Sequence, residues 1–344
     1  MNRQARRAQL KEIKHNPPIQ IGERIKTPLG VLTSAGRALG RDFYARDWRT
    51  TRDEDGHLQP SGELAKEIVD AGLKCIEENS EAILTGKGIK DIPVPKNDVF
   101  FLVGAGAGAG YLDRNLIFRM NQVGTIVTTN RGIKLFNDLR ASSFLDFAFL
   151  VDSRLGIFTS EEWWGGTNKT HTSLIAGYNT FTEATKGWKE VYWFGSSWGV
   201  VPEWNNLIKS KGINMFEKGV LDSGLCSLSC QLHWIWKVNP LAKVVLIGHD
   251  FCYHQGMKYF DTPFKNNKTE VDRVLSHPDF MFDVMPDKNG VFVITQEYLK
   301  IQAQVVFSQV KNMVEGGAEF YNASEGGILY FPQLKQVTMG EFLQ

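Results

Sequence analysis

The chain is short of cysteine, of long apolar runs and of net charge, and each shortage removes a class of function. Its 344 residues include four cysteines, Cys75, Cys226, Cys230 and Cys252, with no Cys-x-x-Cys pair, so the usual pattern of metal-binding thiols is missing. Cys226 and Cys230, four apart as on one helix face, read as buried thiols rather than ligands. No apolar run reaches the roughly 18 residues of a membrane span. The basic N-terminus, MNRQARRAQLKEIKHNPP, has no apolar stretch of the kind a secretory signal carries. With 39 basic against 38 acidic residues, nothing electrostatic favours nucleic acid or an anionic membrane as a main partner. The expected compartment is the cytoplasm.

What is present is an ordinary globular composition, 42% hydrophobic and 22% charged. The length suits one large α/β domain with a smaller appendage, or two modest domains. Residues 1–26 carry Arg3, Arg6, Arg7, Lys11, Lys14, Arg24 and Lys26 against Glu12 and Glu23. This is either a solvated arm or one that steers phosphate. Residues 60–84 read as a helix with an apolar stripe of Leu64, Ile68, Ala71, Cys75 and Ile76. GKGIKDIPVPKND then interrupts the pattern, placing a boundary near 95 between an N-terminal arm with a helical segment (1–95) and a main domain (96–344).

From Val99 onward strand and helix signals alternate. VFFLVG, GTIVTTN, DFAFLVD, KEVYWFG, AKVVLIGHD and GGAEFYN read as strands. LDRNLIFRMNQV, RGIKLFNDLRA and the stretches 223–237 and 296–315 read as helices. This alternation predicts an α/β fold, a doubly wound and mostly parallel Rossmann-like sheet with helices on both faces. Ligands of such sheets bind at the carboxyl ends of strands, where the strand order reverses. The candidates are therefore strand-end residues: Gly104 to Gly110, Thr129 and Asn130, Asp152, Gly195 to Ser197, and His249 with Asp250.

The segment VGAGAGAGYLD, 103–113, follows the first of these strands. It is not a P-loop, because Tyr111-Leu112-Asp113 supplies neither the lysine nor the hydroxyl that motif requires. A dinucleotide fingerprint fits loosely through Gly104, Gly106 and Ala109. Thr129-Asn130 stands where the ribose-binding acid is expected. The general physics survives: glycines permit close backbone approach, and N–H groups at a helix start attract an anion. A tight turn without a ligand is the competing reading.

Four separated stretches share one order. They are the glycine loop ending in Leu112-Asp113; TIVTTNRGIKLF with DFAFLVD; LDSGLCSLS with KVVLIGHDFCY; and GVFVIT followed by FYNASEGGILY. In series, over about residues 98–330, they resemble the 6-hydroxymethylpterin diphosphokinase-like family, which also contains the flagellar motility accessory factors. The family's GxGPSLD is altered here: the Pro-Ser is gone and the loop is longer. The resemblance implies a transferase that holds an activated nucleotide. In one branch diphosphate passes from ATP to the hydroxymethyl group of a dihydropterin with Mg²⁺. In the other a nonulosonic acid passes from its CMP donor to a protein hydroxyl. Diphosphoryl transfer is the leading expectation, with glycosyl transfer the alternative. A binding protein that keeps the fold without the chemistry is the contrasting class.

Under this resemblance Asp152 and Asp250, each closing a strand, share a Mg²⁺ that bridges phosphates. His249 acts as a general base on the acceptor hydroxyl, or serves only local hydrogen bonding. Gly104, Gly106, Gly108, Asn130, Ser223, Asn322, Ser324 and Glu325 contact the nucleotide, with ATP or a CMP-sugar as co-substrate. Asn130 also reads as a cap for the helix beginning near Arg131, and Asn322 to Gly327 as a polar turn. Trp163, Trp164, Trp188, Trp193, Trp198 and Trp204 crowd residues 160–205. Within that stretch EEWWGGTNKTHTS reads as a lid whose tryptophan stacks on a flat ring, or as core.

Overall fold

A computed structural model describes residues 50–52, 58–60, 63–95, 97–151, 169–196, 202–221, 226–252 and 282–344. Two short strands, β1 (Thr50–Arg52) and β2 (Leu58–Pro60), pair antiparallel ahead of the long helix α1 (Glu63–Thr85) and β3 (Lys87–Gly88). Next come β4 (Val99–Val103), α2 (Arg114–Val123), β5 (Thr125–Thr129), α3 (Gly132–Asp138) and β6 (Phe147–Leu150). β7 (Ser173–Gly177), β8 (Glu190–Ser196), α4 (Pro202–Ser210), α5 (Met215–Lys218) and β9 (Val220–Leu221) follow. The last third holds α6 (Ser227–Val238), β10 (Lys243–Ile247), the hairpin β11 (Phe282–Pro286) with β12 (Phe292–Gln296), and α7 (Glu297–Glu315). It closes with β13 (Glu319–Asn322), β14 (Lys335–Gln336) and α8 (Met339–Phe342).

Ten of these strands form one sheet in the order β14-β13-β10-β4-β5-β6-β7-β8-β3, with β9 also on β8. Every pairing in it is parallel. This is the doubly wound Rossmann-like α/β architecture anticipated from the alternation. Its strands read as near-continuous apolar runs because a parallel sheet is covered on both faces. Along β4, Phe100 and Leu102 join the core beneath α6 and α7, together with Trp234, Val306 and Val310. Phe101 and Val103 turn the other way, toward Ile117 and Met120 of α2 and Met339 of α8. Farther along the sheet that second face is covered by Ile76 and Ile83 of α1. Trp234 stands at the centre of the first face, its ring 5.9 Å from that of Phe100, 5.2 Å from Phe147 and 5.7 Å from Phe149.

Chain on both sides of residue 95 meets in this sheet. β3 extends its far edge, with Lys87 and Gly88 opposite Tyr192 and Trp193. Asn79 of α1 donates to the Thr180 carbonyl at 2.7 Å, and Trp204 of α4 donates its indole N–H to the Val69 carbonyl at 2.9 Å. Trp188 and Trp193 are buried, which assigns them to packing. Trp163, Trp164, Trp198 and Ser197, with most of the stretch read as a lid and the arm 1–26, lie outside the described residues. Cys75, Cys230 and Cys252 are buried free thiols and Cys226 a half-buried one. Among the described residues no helix is long and apolar enough to cross a membrane.

Candidate functional site

The strand order reverses between β4 and β10. From β4 the chain runs outward through β5, β6, β7 and β8; it then returns to place β10, β13 and β14 on the other side. The crevice outside the carboxyl ends of β4 and β10 is therefore the expected ligand position. Three connections meet there: the glycine loop after β4, Gly248-His249-Asp250 after β10, and Asn322 to Gly327 after β13.

The glycine loop lies flat against the β10 connection. Gly104 N–H donates to the Ile247 carbonyl at 2.7 Å and Gly106 N–H to the Gly248 carbonyl at 2.8 Å, so the β4–β10 ladder continues past the strands. After a short 3₁₀ turn at Ala107–Ala109, Gly108 N–H donates to Asp250 Oδ2 at 2.7 Å. The anion cradled by this loop is thus a carboxylate of the chain itself. Glycine is required at 108 because a Cβ would stand 2.4 Å from Asp250 Oδ1. Gly248 is required for its backbone, at φ +66°. Leu112-Asp113, which match the family motif, end the loop: Asp113 accepts from Leu116 N–H at 2.7 Å and caps α2.

The Asn322–Gly327 turn braces the same junction. Asn322 accepts from Ser324 N–H at 3.0 Å and donates to the Leu329 carbonyl at 2.9 Å. Ser324 Oγ accepts from Gly248 N–H at 2.8 Å. Glu325 N–H donates to the Gly108 carbonyl at 3.1 Å, and Ile328 N–H to the Asp250 carbonyl at 2.9 Å. Asn322 and Ser324, each 1% exposed, therefore spend their polar groups on the fold, whereas the Glu325 side chain is exposed. Asp250 is 3% exposed, and through its Gly108 and Ile328 bonds it ties two loops together.

Two side chains on either side of β4 keep unused acceptors. His249 Nε2 is enclosed and has no hydrogen-bond partner among the described residues. Burial pushes its imidazole down to about 4, against a smaller opposing effect from the Leu102 carbonyl. The ring is therefore neutral at physiological pH. Assigning the proton of the neutral ring to Nδ1, because Nε2 is unbonded, leaves Nε2 with a lone pair. Asn130, at the carboxyl end of β5, likewise has an enclosed Oδ1 with no partner among the described residues. It does not cap α3, whose N-cap position is Arg131 without a side-chain cap bond. Enclosed polar atoms without a partner among the described residues also occur elsewhere, at Tyr178, Gln231 and Trp234 for example. Buried polar groups are nearly always satisfied, and His249 Nε2 and Asn130 Oδ1 are the two that stand at strand ends beside the switch point.

The hairpin β11–β12 contributes residues that the sequence did not single out. Its turn, Asp287-Lys288-Asn289-Gly290, docks on the crevice. Lys288 N–H donates to the Gly327 carbonyl at 3.0 Å and Asn289 Nδ2 to the Glu325 carbonyl at 2.7 Å. Tyr330 OH donates to the Pro286 carbonyl at 3.1 Å. Asp287 Oδ1 accepts from Asn289 N–H at 2.8 Å and Val291 N–H at 2.9 Å. Burial lowers the Lys288 ammonium below its ordinary range, against the raising influence of Asp250, Asp287 and Glu325. PDKNG between apolar runs is a hairpin-turn signal, but nothing local says where the turn docks. Asp152 and Ser223 lie outside the described residues.

No family model matches this chain, and no curated protein matches it significantly. Among solved structures it is similar to the MAf glycosyltransferase of Magnetospirillum magneticum, at 12% identity and a TM-score of 0.56. The match covers 97% of this chain and 50% of that one, so the chain spans about half the length of the enzyme it resembles. At this identity the likeness is one of fold.

Proposed function

We propose that this chain is a transferase drawing on a nucleotide-activated donor, with glycosyl transfer from a CMP-linked nonulosonic acid to a hydroxyl as its chemistry. The observation that carries the reading is the pair of unpartnered acceptors, His249 Nε2 and Asn130 Oδ1, flanking β4 at the switch point. The series of family motifs and the fold shared with a glycosyltransferase support it. In this scheme His249 Nε2 takes the proton of the acceptor hydroxyl. The hydroxyl oxygen bonds to the donor carbon while that carbon's bond to the CMP phosphate oxygen breaks. The electron pair leaves on the phosphate, which needs no proton to depart. Asn130 accepts from a donor hydroxyl or amino group.

Glycosyl transfer moves ahead of diphosphoryl transfer because of how the loop spends its amides. The N–H groups of Gly104, Gly106 and Gly108 are committed to Ile247, Gly248 and Asp250, which leaves a poor cradle for a triphosphate. Mg²⁺, which the family resemblance implies, does not fit the described carboxylates as they stand. Asp250 is packed beneath Gly106, Gly108 and Gly327 and bonded to Gly108, and Asp287 already accepts from two amides. Among the described residues no group of three His, Cys, Asp or Glu could hold a metal ion, so no step is routed through it.

Calorimetric titration with CMP, CTP and ATP, with and without Mg²⁺, tests the reading. CMP binding ahead of ATP is expected. ATP·Mg²⁺ binding ahead of CMP would return the chemistry to diphosphoryl transfer, and no binding of any nucleotide would remove the transferase.

A further inference from the structure

We infer that Gln231, on the sheet-facing side of α6, reads the nucleobase, its amide bonding to the cytosine edge formed by ring nitrogen N3 and the N4 amino group. The inference rests on the transferase reading and names the residue that selects its donor. Gln231 is 0% exposed, yet neither its Oε1 nor its Nε2 has a hydrogen-bond partner among the described residues. Buried polar groups are nearly always satisfied. An amide enclosed with both groups unbonded destabilises the fold on two counts, which an apolar side chain of the same shape would avoid. Its donor and acceptor therefore serve something the chain binds.

The position of Gln231 follows from its neighbours. Asn239, just past α6, donates to Asp98 Oδ1 at 2.9 Å beside the start of β4. Thus α6 runs against the strands, and its first turns lie over their carboxyl ends. Trp234 covers Phe100, Phe147 and Phe149. Gln231, three residues earlier, shares that face, and its side chain leans toward the helix start, hence toward the switch point. The His249 ring lies on the same face of the sheet. A Cβ at Gly104, which by alternation points the same way as Phe100 and Leu102, would stand 2.8 Å from its Nδ1. The enclosed amide and the enclosed imidazole thus approach the crevice from one side. A primary amide offers one donor and one acceptor side by side in a plane, and cytosine N3 and its N4 amino group offer the complementary pair. A phosphate only accepts, and would leave Oε1 unbonded.

The test is calorimetry on the full chain with CMP, cytidine, ribose 5-phosphate and 3-deazacytidine, in which carbon replaces N3. Gln231→Met keeps the length of the side chain and removes both polar groups. It should weaken CMP and cytidine by the same factor, about tenfold or more for a lost paired contact, and leave ribose 5-phosphate unchanged. The wild type should bind cytidine more tightly than 3-deazacytidine, and Gln231→Met should not distinguish them. In thermal melts without ligand the variant should be at least as stable as the wild type, because an unbonded buried amide has been removed. A lower melting temperature, or failure to fold, would show that the fold itself uses the amide. CMP bound equally by Gln231→Met and the wild type would place the base elsewhere, and an undiminished preference for cytidine in the variant would mean that another group reads N3. Each of these three results overturns the inference while sparing the transferase reading. No nucleotide bound by the wild type would sink both.

Discussion

Replacing Gly108 with alanine places a methyl group 2.4 Å from Asp250 Oδ1, 3.1 Å from its Cγ and 3.2 Å from Oδ2. All three contacts belong to one side chain, and the backbone at 108 does not require a positive φ. The carboxylate must therefore retreat by about 1 Å, at a cost of roughly 1–3 kcal/mol for forcing an extra carbon into a packed site. Asp250→Ala alone gives up the bond from Gly108 N–H and strands that amide, a loss of about 1.5–3 kcal/mol for a charge-assisted bond. The two effects overlap. Once the carboxylate is gone the methyl has space, and once the methyl is present the bond is already strained. The double variant should be more stable than the sum of the singles by about 1–2 kcal/mol, within the range seen for residues in contact. Gly106→Ala is the control, because its Cβ would meet the Gly248 carbonyl at 2.5 Å as well as Asp250 Oδ2 at 2.6 Å. The backbone contact survives Asp250→Ala, so little relief is expected there. Urea denaturation followed by tryptophan fluorescence supplies all the corners of both cycles. Additivity at position 108 within about 0.5 kcal/mol would refute the argument that this glycine exists to admit the carboxylate.

Other substitutions test other parts of the junction. Ser324→Ala removes the acceptor of Gly248 N–H and should cost about 1–3 kcal/mol by leaving a buried amide unbonded; a neutral result in chemical denaturation would show that water replaces the hydroxyl. Trp234→Ala should cost about 3–5 kcal/mol, since its ring fills the space over Phe100, Phe147 and Phe149; a loss near 1 kcal/mol would mean that face repacks. His249 is lowered from 6.5 to about 4 in the folded chain, so the unfolded chain binds its proton first on acidification. Its contribution is complete above pH 6.5 and fades as pH falls toward 4, by about 3 kcal/mol at most. His249→Gln should flatten the stability curve across that window, and an unchanged curve would show that the imidazole is not enclosed.

The strands and most helices were legible because their signals are local. VFFLV, FAFL and KVVLI are apolar runs of strand length, and LDRNLIFRMNQV shows both its cap and its stripe. The same periodicity placed a helix over 60–84, where α1 spans Glu63–Thr85. What could not be read was adjacency. Nothing in VFFLV says that its neighbour is KVVLI, yet that pairing creates the switch point. For the same reason Asn322 and Ser324 looked like ligand contacts: their bonds run to Leu329, Gln336 and Gly248, and the last of these lies 76 positions away. The Asp287–Gly290 turn was overlooked because a hairpin turn carries no sign of the surface on which it docks. His249 and Asp250 do follow the end of β10, where the strand-end rule looks, but what each side chain bonds depends on burial and on which nitrogen or oxygen is already engaged. No sequence pattern states that.

The placement of β10 beside β4 also governs when the site comes into being. Gly108 and Asp250, whose bond closes the crevice, are 142 positions apart, and a ribosome adding 5–20 residues per second needs roughly 7–30 s to cover that interval. Throughout it, β4 lacks the strand that covers its inner side, even after β5 to β8 have been made. The five-residue edge Val99–Val103 then presents unpaired amides to any passing chain. The nascent protein is vulnerable for that period, and a truncated product ending before β10 should aggregate. A product ending between β10 and the hairpin would close the edge yet lack the Asp287–Gly290 and Asn322–Gly327 turns that dock on the junction. The junction is thus assembled only after both turns have been made, and the connectivity of the sheet imposes the delay.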